Sequence, residues 1–450
     1  MNGQPARHEP ERSPDEVPDS LTLTGAISLG TGVMIGAGIF AITGQTAMLT
    51  GKLFPLAFLV AAAVVGVSAY SYVKLANAYP SSGGIAMFLK EEYGLGTATG
   101  VFSVFMYVSM VINESLVART FGSYVLQVAP LEPAAFWAPA LGVVLLVAVF
   151  GINLAGNRVV QPVEATMAAV KVAGLALFAV VGLWLMDTAN LPNGSDSTSS
   201  AVSLDGFLAA VAIALLAYKG FTTITNSGGE LVDPHRNVGR AIIISIGICT
   251  AMYLAVTVAV AGNLGIDEII AAQDFALAEA ARPALGNAGL WFTVALAVVA
   301  TASGVIASVF AASRMLAMLT RMHEVPHRHF GLPGTVRTHA TVYTVLIAIA
   351  LTALFDLRQI ATLGAIFYLV MDIAIHWGIL RHLRDRIEVM PGIVIAAIAL
   401  DGVVLASLVW VKATSDPLVL YVSAAGIACV WLGEWLFMRS HTRPDGTMDM

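Results

Sequence analysis

The chain has 450 residues, of which 58% are hydrophobic and 12% charged, with a mean hydropathy of +0.81. Soluble domains carry about 25% charged residues, so this composition excludes an ordinary soluble globule, and the length divides into membrane spans rather than soluble domains. The formal net charge of −6, with no run of basic residues, speaks against a nucleic-acid partner.

In chain order, Met1 to Ser20 is rich in Pro and charge, and reads as a short disordered cytoplasmic tail rather than a cleavable signal peptide. A window of about 20 residues, the length that crosses a bilayer, then finds twelve spans. The first five lie near 22–48, 53–78, 97–128, 135–155 and 162–186. The next five lie near 204–230, 237–262, 286–319, 338–356 and 359–381, and two more near 391–412 and 417–438. Residues 21–385 thus form a ten-span core, 386–440 hold two accessory helices, and 441–450 form a cytoplasmic tail. The long loop Met186–Ser203 is rich in Asn, Ser and Thr, and Gly262–Gly286 carries an acidic amphipathic stretch. Both cysteines, Cys249 and Cys429, fall inside spans, which argues against a disulfide framework or a zinc site.

Twelve spans put both termini on one side. With the termini inside, sixteen Lys and Arg fall on the cytoplasmic side and only Lys52, Arg282, Arg358 and Lys412 on the other. The remaining three of the 23, Arg119, Lys171 and Lys219, lie within spans. That asymmetry follows the positive-inside rule and predicts cytoplasmic termini in a cell membrane, the inner or cytoplasmic one.

Two spans contain a helix-breaking pattern in matching places. The first is Gly30-Thr31-Gly32-Val33-Met34-Ile35-Gly36-Ala37-Gly38-Ile39-Phe40, and the second is Ala217-Tyr218-Lys219-Gly220-Phe221 in the sixth span. Unwound backbone at membrane depth is tolerated only where it is buried in protein or lines a cavity, and such paired breaks point to a secondary-transporter site. Each break opens a block of five spans, and five is odd, so the second block enters from the opposite side. The expected architecture is an all-α integral membrane protein with a 5+5 inverted repeat, broken helices 1 and 6, and two accessory helices.

The residues at these places resemble a known family. Gly32 to Thr43 is similar to the first helix of amino acid–polyamine–organocation (APC) permeases. Ala78-Tyr79-Pro80-Ser81-Ser82-Gly83-Gly84 with Leu89-Lys90-Glu91-Glu92-Tyr93-Gly94 resembles that family's loop between helices 2 and 3. Ala217 to Phe221 with Glu230-Leu231-Val232-Asp233-Pro234-His235-Arg236-Asn237 resembles its sixth helix and following loop, and Ala312-Ser313-Arg314-Met315-Leu316 the end of its eighth. The resemblance implies a LeuT-like fold and uptake or exchange of amino acids, polyamines or related amines.

The chemistry of the breaks agrees. Glycines 36 and 38 allow non-helical geometry and close approach of a ligand. Freed N–H groups at the start of the outer half-helix suit a carboxylate, and carbonyls around Met34, Leu216, Ala217 and Lys219 suit an ammonium. The expected substrate contacts are Met34, Gly36, Ala37, Gly38, Leu216, Ala217, Tyr218, Lys219 and Gly220. Close helix packing is the competing role for the same glycines.

Lys171 lies about ten residues into the fifth span, near mid-membrane. In some proton-coupled family members an amine at this place stands where related transporters hold a sodium ion. The resemblance implies that Lys171 reaches the first break and Ser303 or Thr301. Desolvation disfavours an ammonium, which suits proton release during a cycle; snorkelling to the cytoplasm is the alternative. Lys219 departs from the family, which usually has an apolar residue there. A cation at that position should repel cationic substrates, and it can pair with Glu114 of the third span, meet an anionic substrate, or carry the proton itself.

Weaker features complete the reading. Arg119 can snorkel outward. Asp372 and His376, four apart, can form a packing pair or a proton relay. His323, His327, His329 and His339 lie on no scaffold that suggests metal binding. Glu230 and Asp233 read as ordinary loop residues, with a gate to Arg236 or Arg240 as the alternative. No nucleophile–base pair, phosphate loop or metal-ligand motif points to an enzyme, and nothing calls for a cofactor. The expected function is proton-coupled symport of a neutral amino acid. An acidic amino acid or other anion engaged by Lys219, amino acid exchange, and nutrient sensing without flux are the alternatives.

Overall fold

The computed structural model describes residues 21–81, 83–129, 131–155, 157–191, 203–322, 324–325 and 335–441. The predicted N-terminal tail, the C-terminal tail beyond residue 441, and three of the four loop histidines, His323, His327 and His329, lie outside the described residues.

Every named element is helical, as the run of apolar spans requires. In order they are α1 (Leu23–Thr50), α2 (Phe54–Ala78), α3 (Ile85–Tyr93), α4 (Thr97–Val125) and α5 (Ala134–Leu154). Then come α6 (Asn157–Leu185), α7 (Leu204–Tyr218), α8 (Thr222–Thr225), α9 (Pro234–Asn263) and α10 (Ile266–Ala271). The last are α11 (Ala276–Arg321), α12 (Val336–Leu354), α13 (Leu357–Gly378), α14 (Pro391–Ser415) and α15 (Pro417–His441).

Local sequence sets the ends. Thr22 caps α1 by accepting from the Gly25 N–H at 3.1 Å, and Ser203 caps α7 the same way. Asp356 and Gln359 form a reciprocal capping box that opens α13. Gly286, at φ 58°, kinks α11, so the short helix before it lies apart from the span that follows. Between α2 and α4, amphipathic α3 buries Ile85, Phe88 and Leu89.

Eleven segments among the described residues are long and apolar enough to cross a membrane, against twelve expected. The difference lies at the start: one 41-residue segment, Gly38–Ala78, runs through the Gly51–Leu53 turn and joins the end of α1 to all of α2. Large apolar side chains such as Val147, Val180, Ile243 and Leu346 are exposed, as lipid-facing residues of a bundle should be. This is a multi-pass membrane protein.

Packing pairs show a regular pattern. α1 packs on α7, α2 on α9, α4 on α11 and α5 on α12. α1 also meets α9 as α7 meets α2, and α4 meets α13 as α11 meets α6. Several contacts of the early spans are thus matched by contacts with the partners exchanged, although α1 also packs on α11 with no counterpart of like extent between α7 and α4. At the entrance to α4, buried Glu324 accepts from the Gly96 N–H at 3.1 Å, and burial pushes its carboxyl up to about 7.

Candidate functional site

The site is built where α1 crosses the end of α7. Two glycines bring the helices together backbone to backbone. A Cβ on Gly38 would lie 2.3 Å from the Ala217 Cα, and one on Gly220 would lie 2.7 Å from the Met34 nitrogen. Gly38 is therefore filled by helix packing. Beside this contact lies a cavity of about 30 Å³. Val33 and Met34 line it from α1, Leu216 and Ala217 from α7, Lys219 and Gly220 from the turn after α7. Thr222 and Thr223 of α8, Met110 and Asn113 of α4, and Ser308 of α11 complete its walls.

The two expected breaks take different forms. α1 is helical throughout Leu23–Thr50; the side chains of Gly36 and Ala37 lie outside the described residues. The sixth span tightens rather than opens: α7 ends at Tyr218, Lys219–Phe221 form a 3₁₀ turn, and α8 follows. A 3₁₀ turn keeps i→i+3 bonds, which suits a dry interior better than bare backbone. One distant side chain and two local groups take up the carbonyls. Tyr253 Oη donates to the Ala217 carbonyl at 2.9 Å, Thr222 Oγ1 to that of Lys219 at 3.0 Å, and the Lys219 N–H to that of Leu216. Tyr218 turns away from the cavity, donating from Oη to the Phe58 carbonyl at 3.2 Å.

Lys219 is 5% exposed and sits at the cavity wall. Its Nζ donates to Ser109 Oγ and lies 5.5 Å from the Tyr368 ring centroid, a cation–π distance. Glu114 is fully buried; its Oε1 accepts from Ser308 Oγ at 3.2 Å, and its Oε2 has no hydrogen-bond partner. Each of the two lies within the other's field, but among the described residues no ion-pair contact joins them. Two hydroxyls, from Ser109 and Ser308, stand where a direct bond was expected.

Lys171, fully buried on α6, donates from Nζ to Ser303 Oγ of α11 at 2.7 Å. A Cβ on Gly32 would lie 3.8 Å from that Nζ, so the amine faces Gly32 of α1 across the space a side chain there would take. Thr301, the other candidate partner, instead donates back to the Ala297 carbonyl at 2.6 Å.

The remaining candidates are structural or lie elsewhere. Arg119 donates to the Thr352 carbonyl at 2.8 Å, near the end of α12. Glu230 faces Arg314 at 3.9 Å rather than Arg236 or Arg240. Asp372 and His376 approach to 3.8 Å and join residues of α2 and α14, away from the cavity wall. Sequence reasoning missed Ser109, Ser308 and Tyr368, because hydroxyl and aromatic residues in spans give no signal until their partners are known.

Comparison with known proteins agrees with a transporter. The amino acid permease family model matches residues 21–431. The inner membrane transport protein YbaT of Escherichia coli is 28% identical over 383 residues, covering 84% of this chain and 87% of that protein. The uncharacterized protein MJ0609 of Methanocaldococcus jannaschii is 30% identical over 422 residues, covering 93% and 94% of the two chains. The uncharacterized transporter Rv1999c of Mycobacterium tuberculosis is 31% identical over 382 residues, covering 82% and 81%.

Proposed function

The chain belongs to the amino acid permease family of the APC superfamily, a transporter and not an enzyme, and on that premise we propose that it is a proton-coupled symporter of a neutral amino acid. The observation that carries this reading is the cavity between α1 and the turn after α7. It lies where α1 and the sixth span meet, and its walls combine apolar side chains with hydroxyls and an amide. At about 30 Å³ it holds roughly one water. An amino acid enters only when α1 and the turn move apart, as alternating access requires.

The packing pairs support a LeuT-like arrangement: contacts from α1 to α9 and from α4 to α13 recur with the partners exchanged, from α7 to α2 and from α11 to α6, as an inverted repeat implies. The Lys and Arg asymmetry supports cytoplasmic termini in the cell membrane.

Coupling rests on Lys171. Its amine bonds α6 to α11 and faces Gly32 of α1, the helix that lines the cavity. Holding or releasing a proton there changes how firmly α6 is tied to α11 beside that helix. A second reading has one observation in its favour: Lys219 lines the cavity without a direct ion pair to Glu114, so an anionic group on the substrate can meet it. Counterflow of a labelled amino acid panel in proteoliposomes tests both. Exchange of neutral amino acids supports the first reading, and exchange confined to acidic ones supports the second. No exchange with any amino acid overturns both.

A further inference from the structure

A second buried polar centre lies outside the cavity wall, where α2, α13 and α14 meet. Asp372 and His376 stand one turn apart on α13, and Asp401 faces them from α14; none is more than 1% exposed. His376 Nε2 lies 3.4 Å from Asp401 Oδ2 and 3.8 Å from Asp372 Oδ1. One donor atom from each of the three residues lies within 4.8 Å of the other two.

The surroundings orient these atoms inward. Ser71 Oγ lies 2.8 Å from His376 Nδ1, and Nε2 faces the carboxylates with Ser68 Oγ 3.2 Å away. Ser68 Oγ donates to Asp372 Oδ2 at 2.7 Å, and Tyr72 Oη donates to Oδ1 at 2.5 Å. Asp401 differs: beyond the long 3.4 Å contact of its Oδ2 with His376 Nε2, its oxygens meet no donor. A buried carboxylate so poorly satisfied is costly in protein and more so at membrane depth.

Charge sharpens the point. Among the described residues no Lys or Arg forms an ion pair with Asp372 or Asp401; their only such contacts are to His376. With both carboxyls ionised, a neutral imidazole leaves a sum of −2 and a protonated one −1, so only a proton on a carboxyl or a bound cation balances the cluster. A divalent ion with two carboxylates and a neutral imidazole sums to zero. One nitrogen and carboxylate oxygens suit zinc or manganese at about 2.0–2.2 Å. Tetrahedral bonds of that length place ligand atoms about 3.4 Å apart, close to the 3.4 and 3.8 Å that separate His376 Nε2 from the two carboxylates. A metal-bound His donates its other ring N–H to an orienting partner, the place that Ser71 occupies.

We propose that Asp372, His376 and Asp401 form a divalent transition-metal site that ties α2, α13 and α14 together. Tyr368, one turn before Asp372 on the same helix, faces Lys219, so the site also fixes the helix behind the cavity.

The test uses the full chain purified without chelator. Elemental analysis should find about one zinc or manganese per chain. After chelator treatment, adding Zn²⁺ or Mn²⁺ should raise the thermal midpoint, and Asp401→Asn should lose both the bound metal and the shift. Glu434→Gln, at a buried acid elsewhere in the chain, should keep both. Metal-free wild-type protein with no response to either ion would overturn the proposal and leave shared protons to neutralise the carboxylates. An undiminished shift in Asp401→Asn would overturn it as well. If Asp401→Asn fails to fold, the metal content and response of the wild type decide.

Discussion

Gly38→Ala is the sharpest perturbation of the contact that frames the cavity. The added methyl would sit 2.3 Å from the Ala217 Cα and 2.5 Å from its Cβ. Carbon atoms in good contact stand about 3.5–4.0 Å apart, so α1 and α7 must separate by more than about 1 Å. The obstacle is backbone, and no rotamer change relieves it. Overpacking of this kind costs about 1–3 kcal/mol, and a backbone clash belongs at the upper end. Gly66 is the matched control: it lies within α2 with nothing within 4 Å of its built Cβ. Alanine there removes a helix-interior glycine and should stabilise by up to about 1 kcal/mol. The two variants should therefore differ by about 2–4 kcal/mol in thermal or denaturant unfolding of purified protein in one detergent. Gly38→Ala should also slow counterflow. Equal stability of the two variants would refute the backbone contact between α1 and α7.

Three further outcomes follow from the buried charges. Lys171→Ala should abolish accumulation driven by a proton gradient and leave substrate exchange measurable in proteoliposomes; sodium-driven uptake by the wild type would remove that role. Lys219→Met and Glu114→Gln should couple in a double-mutant cycle by no more than about 1 kcal/mol, because each bonds to a serine hydroxyl instead of to the other; coupling of about 3 kcal/mol would restore a direct pair. Glu324→Gln should remove a pH dependence of stability. The folded carboxyl sits near 7 against an ordinary 4.5, so the folded state retains the proton and wild-type stability falls as pH rises between those values. At pH 8 the glutamine variant should be the more stable by about 1 kcal/mol, after allowance for water at that face. A wild type less stable at pH 4.5 than at pH 7, relative to the variant, would reverse the sign.

The spans were legible because bilayer length writes directly into local sequence; the caps at Thr22, Ser203 and Asp356 and the kink at Gly286 appear only in the structure. The meeting of Lys171 with Ser303 was legible through the resemblance to APC permeases, which fixes which helices face each other. Features that depend on contacts distant in sequence were not. The sixth span shows a tight 3₁₀ turn rather than bare backbone because Tyr253, on another helix, takes the Ala217 carbonyl. Tyr218 points at α2 for a reason found only in the Phe58 carbonyl. Asp401 stood in plain view as an acid inside an apolar span, but its meaning required His376 and Asp372 opposite. Lys219 was legible as an anomaly, and its partners Ser109 and Tyr368 were not.

Proton-driven amino acid transport is measured most directly in proteoliposomes with an imposed pH gradient, no sodium, and labelled neutral amino acids outside. The expected result is concentrative uptake that collapses with a proton ionophore and disappears in Lys171→Ala. Uptake that needs sodium and ignores the ionophore, or no uptake of any amino acid, would contradict it.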